Sequence, residues 1–542
     1  MDISPLHKLR LLYKPELPSI LQDLGNIKLT PSKILSFSPE IRSKFPYFTT
    51  LPLVEGKTGE KGSLLPKKIG VVFSGGPAPG GHNVLSGLFD AMQKMSSKSL
   101  LIGFLDGPKG IIENKHIELT QKIIDAYRNV GGFHLLGSGR TKIESKEQMT
   151  ASLKTCEDLS LDGLVIIGGD DSNTNAAILA DFFRKQNSKI CVVGVPKTID
   201  ADLKNMFVPI PFGFDTACKV YSEMIGNICQ DAISSKKYTH FIKLMGRTAS
   251  HITLECAIAT QPNYTLIGEE VQKEKKTLAE IISECADLIA QRSELGKSYS
   301  VILVPEGLFQ FIPEVASLIE ELDSLLSHTK ETPSFVEIET KLSPESAKCL
   351  RFFPENIQKQ LLLQRDPHGN IQLSLIETEK LLADLINKEL DKRKSQGTFQ
   401  GSYHPMTHFL GYEGRCAFPS NFDACYTYSL GHIAALLVQN NLSGYMTFIS
   451  NIHKEISSWS IGAVPITFFM HEEKRKGFLK PVIAKTLVDC NGPAFTYFAL
   501  KRKTWALADH YLCPGPIQYG QGDSSSIPIS INMELSSNVT TL

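Results

Sequence analysis

The chain has 542 residues, with 57 Lys+Arg against 57 Asp+Glu, so its formal charge is zero. That balance excludes a dedicated nucleic-acid or polyanion binder, which carries a basic excess, and no run of the sequence approaches the ~20 apolar residues of a membrane span. The apolar fraction of 42% and charged fraction of 21% are those of an ordinary globular protein, and the length implies two domains with insertions.

Residues 1–65 read as an irregular, proline-containing N-terminal extension. Met1 to Pro18 mixes charges and prolines with short apolar pairs and lacks the apolar centre of a signal peptide. Strand and helix then alternate. Ile69–Phe73, Leu100–Phe104, Gly163–Ile167 and Ile190–Val195 are apolar runs of strand length, separated by helix-length segments such as Asn83–Lys94, His116–Tyr127 and Ser172–Lys185. Buried strands with intervening helices predict a parallel sheet covered on both faces. A second series follows, with a helix over Asp215–Ser234 and strands at Phe241–Met245 and Val301–Val304. Residues 312–395 are charged, rich in Leu, Glu and Lys, and helical in period, and they read as a helical insertion. A Gly-rich, aromatic stretch at 396–420 brings the chain back to the site, and the Ser/Asn/Pro-rich end from about 515 reads as partly loose. The expectation is an α/β protein of two Rossmann-like domains with parallel-rich sheets. The first spans 66–211 with about 415–480, and the second spans 212–414 with about 481–542. The 11 cysteines form no Cys-x-x-Cys pair, and several, such as Cys191 and Cys256, lie in apolar runs. They read as buried reduced thiols of a cytoplasmic protein.

In such sheets ligands bind beyond the carboxyl ends of strands, and small or charged strings fall at those ends. Ser74-Gly75-Gly76-Pro77-Ala78-Pro79-Gly80-Gly81 follows the first strand and precedes a helix, as a phosphate cradle does. It lacks both the Gly-Lys-Ser/Thr ending of a P-loop and the Gly-x-Gly-x-x-Gly of a dinucleotide fold, and a turn without a ligand is its plain alternative. Gly168-Gly169-Asp170-Asp171 follows the third strand, where Asp170 and Asp171 could simply cap the next helix. Pro196-Lys197-Thr198-Ile199-Asp200-Ala201-Asp202 follows the fourth. Four carboxylates at strand ends are costly unless cations or hydroxyls meet them. Carboxylates beside a phosphate cradle are reconciled by a divalent cation between them. Lys197 and Arg140, the latter in Gly137-Ser138-Gly139-Arg140-Thr141, add positive charge in tight turns. In the second half, Met245-Gly246-Arg247, Glu306 and Tyr412-Glu413-Gly414-Arg415 offer guanidinium for a phosphate monoester and carboxylate for sugar hydroxyls, although Glu306 could instead serve an arginine. His251, His404 and His408 show no metal-type spacing.

These strings, in this order over about 70–420, resemble the phosphofructokinase family in its long, pyrophosphate-dependent form. The resemblance implies two phosphofructokinase-type domains with a helical insertion and terminal extensions. It also implies Mg²⁺ as cofactor, with fructose 6-phosphate and pyrophosphate as substrates, and no nucleic-acid or membrane partner. Asp200 is then the general base toward the 1-hydroxyl of fructose 6-phosphate, and Asp170 holds Mg²⁺. Gly75, Gly76, Arg140 and Lys197 bind pyrophosphate. Thr198 and Asp202 orient the sugar and Asp200. Met245, Gly246, Arg247, Glu306, Tyr412, Glu413, Gly414 and Arg415 hold the sugar phosphate. Lys237 and Tyr238 are similar to positions that reach a neighbouring subunit's substrate, which implies a homodimer. Asp171 and Lys197 stand where ATP-using members carry glycine; a carboxylate at 171 would repel the α-phosphate of ATP. Ala201 stands where related sequences commonly have Gly or Asn, and its methyl group speaks against positive φ. The alternatives to reversible transfer between pyrophosphate and the sugar are an ATP-dependent phosphofructokinase and a non-catalytic regulatory subunit of the same family.

Overall fold

The structure, a computed structural model, describes residues 5–326, 335–363, 375–475, 478–515 and 528–537. Among these residues no helix is long and apolar enough to cross a membrane. The described residues form two compact units, one of 5–217 and 413–486, the other of 218–412, 487–515 and 528–537. The loose end expected from about 515 lies largely outside the described residues, although Ile529–Ser537 is a helix.

The strands, in chain order, are β1 Ile27–Lys33, β2 Leu53–Thr58, β3 Lys68–Phe73, β4 Leu100–Phe104, β5 His116–Glu118, β6 Gly163–Gly168, β7 Cys191–Pro196, β8 Thr239–Leu244, β9 Tyr264–Thr265, β10 Ser300–Pro305, β11 Pro405–Leu410, β12 Tyr445–Ser450, β13 Ser460–Pro465, β14 Met470–Arg475 and β15 Phe478–Ile483. In the first unit, nine of them pair in the order β1-β2-β13-β12-β7-β6-β3-β4-β5. Its centre is parallel, with Ile69 opposite both Leu101 and Gly163, and Gly163 opposite Cys191. Val71, Val72, Leu164, Val165, Val192 and Val193 are fully buried, as expected for strands covered on both faces. The edges are antiparallel, so the sheet is mixed rather than purely parallel. Two expectations fail there. The described residues 5–65 are not an irregular extension but supply β1 and β2, which pair with each other and through β2 with β13. His116–Tyr127 is not one helix: His116–Glu118 pairs with β4, and the helix starts at Gln121. Polar–apolar alternation over three residues is too short to separate strand from helix period.

From β3 the chain crosses through the helix Gly81–Met95 to β4 on one side, whereas β6 lies on the other side of β3 and leads through Asp170–Lys185 to β7. The strand order therefore reverses between β3 and β6, where loops diverge and leave a crevice. The loops that leave these two strands are Ser74–Gly81 and Gly168–Asp171.

The second unit holds a four-stranded parallel sheet, β11-β8-β10-β9. Phe241 of β8 sits opposite Ile302 and Thr407. The Gly-rich stretch after 396 thus ends as an outer strand of this sheet. The segment 312–395 contains the helices Pro313–Leu326, Phe335–Lys341, Pro344–Phe352, Glu355–Leu363 and Thr378–Ser395 among its described residues. Its Leu318, Leu322, Leu350, Leu361, Leu382 and Ile386 join one apolar core with Phe241, Ile302 and Val304 of the sheet. Lys243 of β8 reaches into it, with its ammonium 2.8 Å from the Ile376 carbonyl and 3.0 Å from Glu379.

In the first unit, helix Gly81–Met95 packs on helix Asn421–Gln439 by backbone contact. A Cβ at Gly87 would lie 2.1 Å from the Tyr428 carbonyl oxygen, and one at Gly431 would lie 2.4 Å from that of Val84. Gly87→Ala should therefore destabilise by about 3 kcal/mol, the upper end for overpacking against rigid neighbours. Gly62→Ala, where a Cβ meets nothing within 4 Å, should stay within about 0.5 kcal/mol of the parent. Urea unfolding midpoints of the two variants check this contrast.

Candidate active site

The loop after β3 is tied across the crevice. The Ser74 N–H donates to the Ile167 carbonyl at 2.9 Å, and the Ser172 hydroxyl donates to the Ser74 hydroxyl at 2.7 Å. The Ser138 hydroxyl donates to the Gly75 carbonyl at 2.7 Å. The Gly75 N–H, expected to face a phosphate, instead donates to the Gly139 carbonyl at 2.9 Å. Glycine contributes space here. Gly75 has φ +85°, and a Cβ on it would stand 3.5 Å from Lys197 Nζ; one on Gly76 would stand 2.3 Å from an Arg415 guanidinium nitrogen. Only a residue without a side chain at 76 lets the Arg415 guanidinium come so close to the loop, whereas at 75 glycine serves the positive φ of the turn. Arg140 is exposed one residue beyond Gly139, which bridges to Ser74.

Asp170 and Asp171 occupy the first turn of helix Asp170–Lys185, whose N-cap is Gly169 with no side-chain cap bond. Neither acid therefore holds the N-cap position, although the Asp170 carboxylate accepts a hydrogen bond from the Asp171 backbone and acids there suit the helix dipole. Burial pushes the Asp170 carboxyl up from its ordinary value. Lys485, 3.8 Å away, opposes that shift, and the negative charges of Asp202 and Asp171 add to it. Asp171 pairs with Lys142 at 3.0 Å. The loop after β7 starts with the Lys197 N–H on the Gly168 carbonyl at 2.9 Å. It then turns so that the Asp200 N–H donates to Thr198 Oγ1 at 3.1 Å. Ala201 takes φ +57°, contrary to the expectation from its methyl group. That left-handed residue lies between Asp200 and Asp202, and the Thr486 N–H holds the Asp202 carbonyl at 2.9 Å. Lys197 is 7% exposed. Burial lowers its ammonium to about 8, Arg415 pushes the same way, and Asp200, Asp202 and Asp170 oppose both. Three carboxylates and two cations from loops far apart in sequence thus act on one another.

Among the described residues, no three His, Cys, Asp or Glu side chains converge as an all-protein metal cage. One half-buried carboxylate, Asp170, with other acids around it suits Mg²⁺, which takes one or two carboxylates and completes its shell with water and substrate phosphate oxygens.

The second unit gathers its residues at the carboxyl ends of β8, β10 and β11. The Gly246 N–H donates to Glu306 Oε2 at 2.9 Å, with Glu306 buried. The Glu306 N–H donates to the Leu244 carbonyl at 2.9 Å, and the Met245 N–H to that of Leu410 at 3.0 Å. Gly246 has φ +138°, and the Arg247 carbonyl packs so close to Gly307 that a Cβ there would be 2.1 Å from it. Tyr412 is exposed and meets Phe409 edge-on. Lys237 is exposed, with its ammonium 5.2 Å from the centre of the Tyr238 ring. Glu413, Gly414 and Arg415 belong to the first unit. Arg415, expected on the sugar phosphate, lies against Gly76 in the donor loop.

Sequence reasoning missed Lys142, Ser172 and Lys485. Ser172 follows the Asp170-Asp171 pair directly and could have been singled out with it. Lys142 and Lys485 carry no local signal, because only the fold brings them to the acids.

A glycine loop, an acidic loop and a buried lysine meeting at the switch point of a doubly wound sheet are the parts that a phosphoryl-transfer protein uses. The Phosphofructokinase family model matches residues 68–438, and the chain belongs to the phosphofructokinase family. It is 47% identical over 530 residues to a pyrophosphate–fructose 6-phosphate 1-phosphotransferase from Porphyromonas gingivalis, covering 96% of each chain. It is 48% identical to the beta 1 subunit of that enzyme from Arabidopsis thaliana, covering 96% of this chain and 92% of the relative. A solved pyrophosphate-dependent phosphofructokinase from Marinobacter aquaeolei shares the fold with a TM-score of 0.53 at 16% identity, over 85% of this chain and 96% of that one.

Because Lys197 loses its charge as pH rises through about 8, anion binding at this loop should weaken over the same range. Calorimetric titration with pyrophosphate at fixed total Mg²⁺ should show that decline in the parent. Lys197→Met should bind weakly with a shallower dependence, and Lys197→Arg, charged throughout, should lose the same limb.

Proposed function

We propose that this protein transfers a phosphoryl group reversibly between pyrophosphate and the 1-hydroxyl of fructose 6-phosphate, giving fructose 1,6-bisphosphate and phosphate. The observation that carries the reading is the burial of Lys197 among Asp170, Asp200 and Asp202 beside Arg415. It agrees with the activity for which relatives that match nearly the whole chain are named.

Asp200 takes the proton of the attacking hydroxyl. Its loop supports the role, since Thr198 Oγ1 accepts the Asp200 N–H and so fixes where the carboxylate projects. Thr198 and Asp202 orient the sugar. Mg²⁺, held through Asp170, would neutralise and align the donor oxygens. Lys197, Arg140 and Arg415 stabilise charge on the transferring group and on the departing phosphate. Arg415 serves this donor loop rather than the sugar phosphate, given its place over Gly76. Met245, Gly246, Arg247, Glu306 and Tyr412 hold the sugar phosphate, with Glu413 and Gly414 shaping the turn that carries Arg415. Asp171, anchored by Lys142, fills the region an ATP α-phosphate would need, and Lys197 supplies charge to a donor that has no adenosine to bind. This combination disfavours the ATP-dependent alternative. The intact Asp200, Asp202 and Lys197 disfavour a regulatory subunit. The same reading makes the protein a cytoplasmic homodimer in which Lys237 and Tyr238 reach the partner's substrate.

Asp200→Ala should lower turnover by roughly 10²–10⁴, the range for a lost general base, with a smaller change in sugar affinity; steady-state assay of the purified chain reads both. Turnover equal to the parent's removes Asp200 from its role. Offered separately, pyrophosphate should support the reaction and ATP should not, and fructose 1,6-bisphosphate with phosphate should yield pyrophosphate. Asp171→Gly combined with Lys197→Gly should gain ATP binding, measured by equilibrium titration, while losing pyrophosphate turnover. No gain of ATP binding would remove this pair as the donor gate.

A further inference from the structure

Lys485 stands in the segment after β15, 315 positions beyond Asp170 in sequence, yet its ammonium lies 3.8 Å from the Asp170 carboxylate. The backbone on both sides of it is fastened to the donor site. The Ile483 N–H donates to Thr174 Oγ1 at 3.3 Å, on the helix that Asp170 opens. The Thr486 N–H donates to the Asp202 carbonyl at 2.9 Å, and the Thr486 hydroxyl to the Lys204 carbonyl at 2.5 Å. The side chain itself is held loosely. The pair is too long for a hydrogen bond, and the Lys485 side chain is 36% exposed against 20% for Asp170. Such a pair costs little to break. A fixed backbone with a loosely paired, compact charge at its end is suited to exchange between two anionic partners.

We propose that Lys485 is a donor-site positioning residue that changes partners: it neutralises Asp170 while the divalent cation is away, and turns to the pyrophosphate oxygens once the cation holds Asp170. This inference rests on the pyrophosphate reading of the site. A dication outcompetes a loosely held ammonium for a carboxylate, and the displaced ammonium then faces the anion that arrives with the cation. Lysine, a point charge without a required fork geometry, serves both partners. The exchange also keeps the half-buried Asp170, already beside Asp171 and Asp202, from standing uncompensated in the resting protein.

The exchange predicts two effects of opposite sign. Lys485→Met should bind Mn²⁺ more tightly than the parent in the absence of pyrophosphate, measured by the loss of the free Mn²⁺ paramagnetic resonance signal. The same variant should bind pyrophosphate about tenfold more weakly in the presence of Mg²⁺ by calorimetry, the weight of one charge-assisted hydrogen bond. Lys485→Arg, which keeps the charge, should recover most of the pyrophosphate affinity. A residue that merely braces the fold would weaken both affinities together with the melting temperature. Either affinity failing to move in its stated direction overturns the exchange. Failure of the parent protein to bind pyrophosphate overturns the functional reading instead.

Discussion

The Lys197 ammonium is buried where Asp170, Asp200 and Asp202 attract it and Arg415 repels it, and the rest of the donor site is arranged around that balance. A lysine taken out of water is tolerated only with opposite charge close by. The carboxylates in turn would repel an anionic donor if no cations stood among them. Each group therefore depends on the others, and their positions have to be set by rigid parts of the fold. Lys197 meets this condition because its own N–H is bonded to the Gly168 carbonyl at the end of the neighbouring strand.

Rigidity comes from the sheet, and room comes from glycine. The loops after β3 and β6 leave adjacent parallel strands where the connections part, and the Ser172–Ser74 and Ser74–Ile167 bonds join them across the opening. Gly76 then leaves the volume that Arg415 needs, and Gly75 supplies the positive φ at which the loop turns. Ala201 adopts a left-handed backbone at φ +57°, which costs an L-residue roughly 1–2 kcal/mol. Strain at such a position persists where the surroundings determine it, and here it turns the chain between the two acids Asp200 and Asp202.

In the second unit the same logic uses different parts. Three parallel strands end together, and Glu306 from one of them accepts the Gly246 N–H from another. Gly307 allows the Arg247 backbone to approach. Behind this face, the helical insertion shares one apolar core with the sheet and is fastened to β8 through the buried Lys243–Glu379 pair. The insertion is thus continuous with the structure that carries Met245 and Gly246, two and three positions beyond Lys243 in the chain.

Much of this was legible in the residues. Apolar runs bounded by glycine and proline marked β3, β4, β6 and β7 within a residue or two, because a strand buried on both faces must be apolar throughout. The acidic and glycine strings marked the strand ends where chemistry collects, since such residues are costly elsewhere. Local pattern could not show that β1 and β2 extend the sheet from the N-terminal region, because edge strands carry weak, half-polar signals. Nor could it show that His116–Glu118 is a strand, that the Gly75 N–H is committed to Gly139, or that Arg415 lies over Gly76. It was silent on Lys142 and Lys485 for a simple reason. The type of a residue and the period of its neighbours are local properties, whereas the distance between a lysine and a carboxylate hundreds of positions away is decided only when strands pair and helices pack.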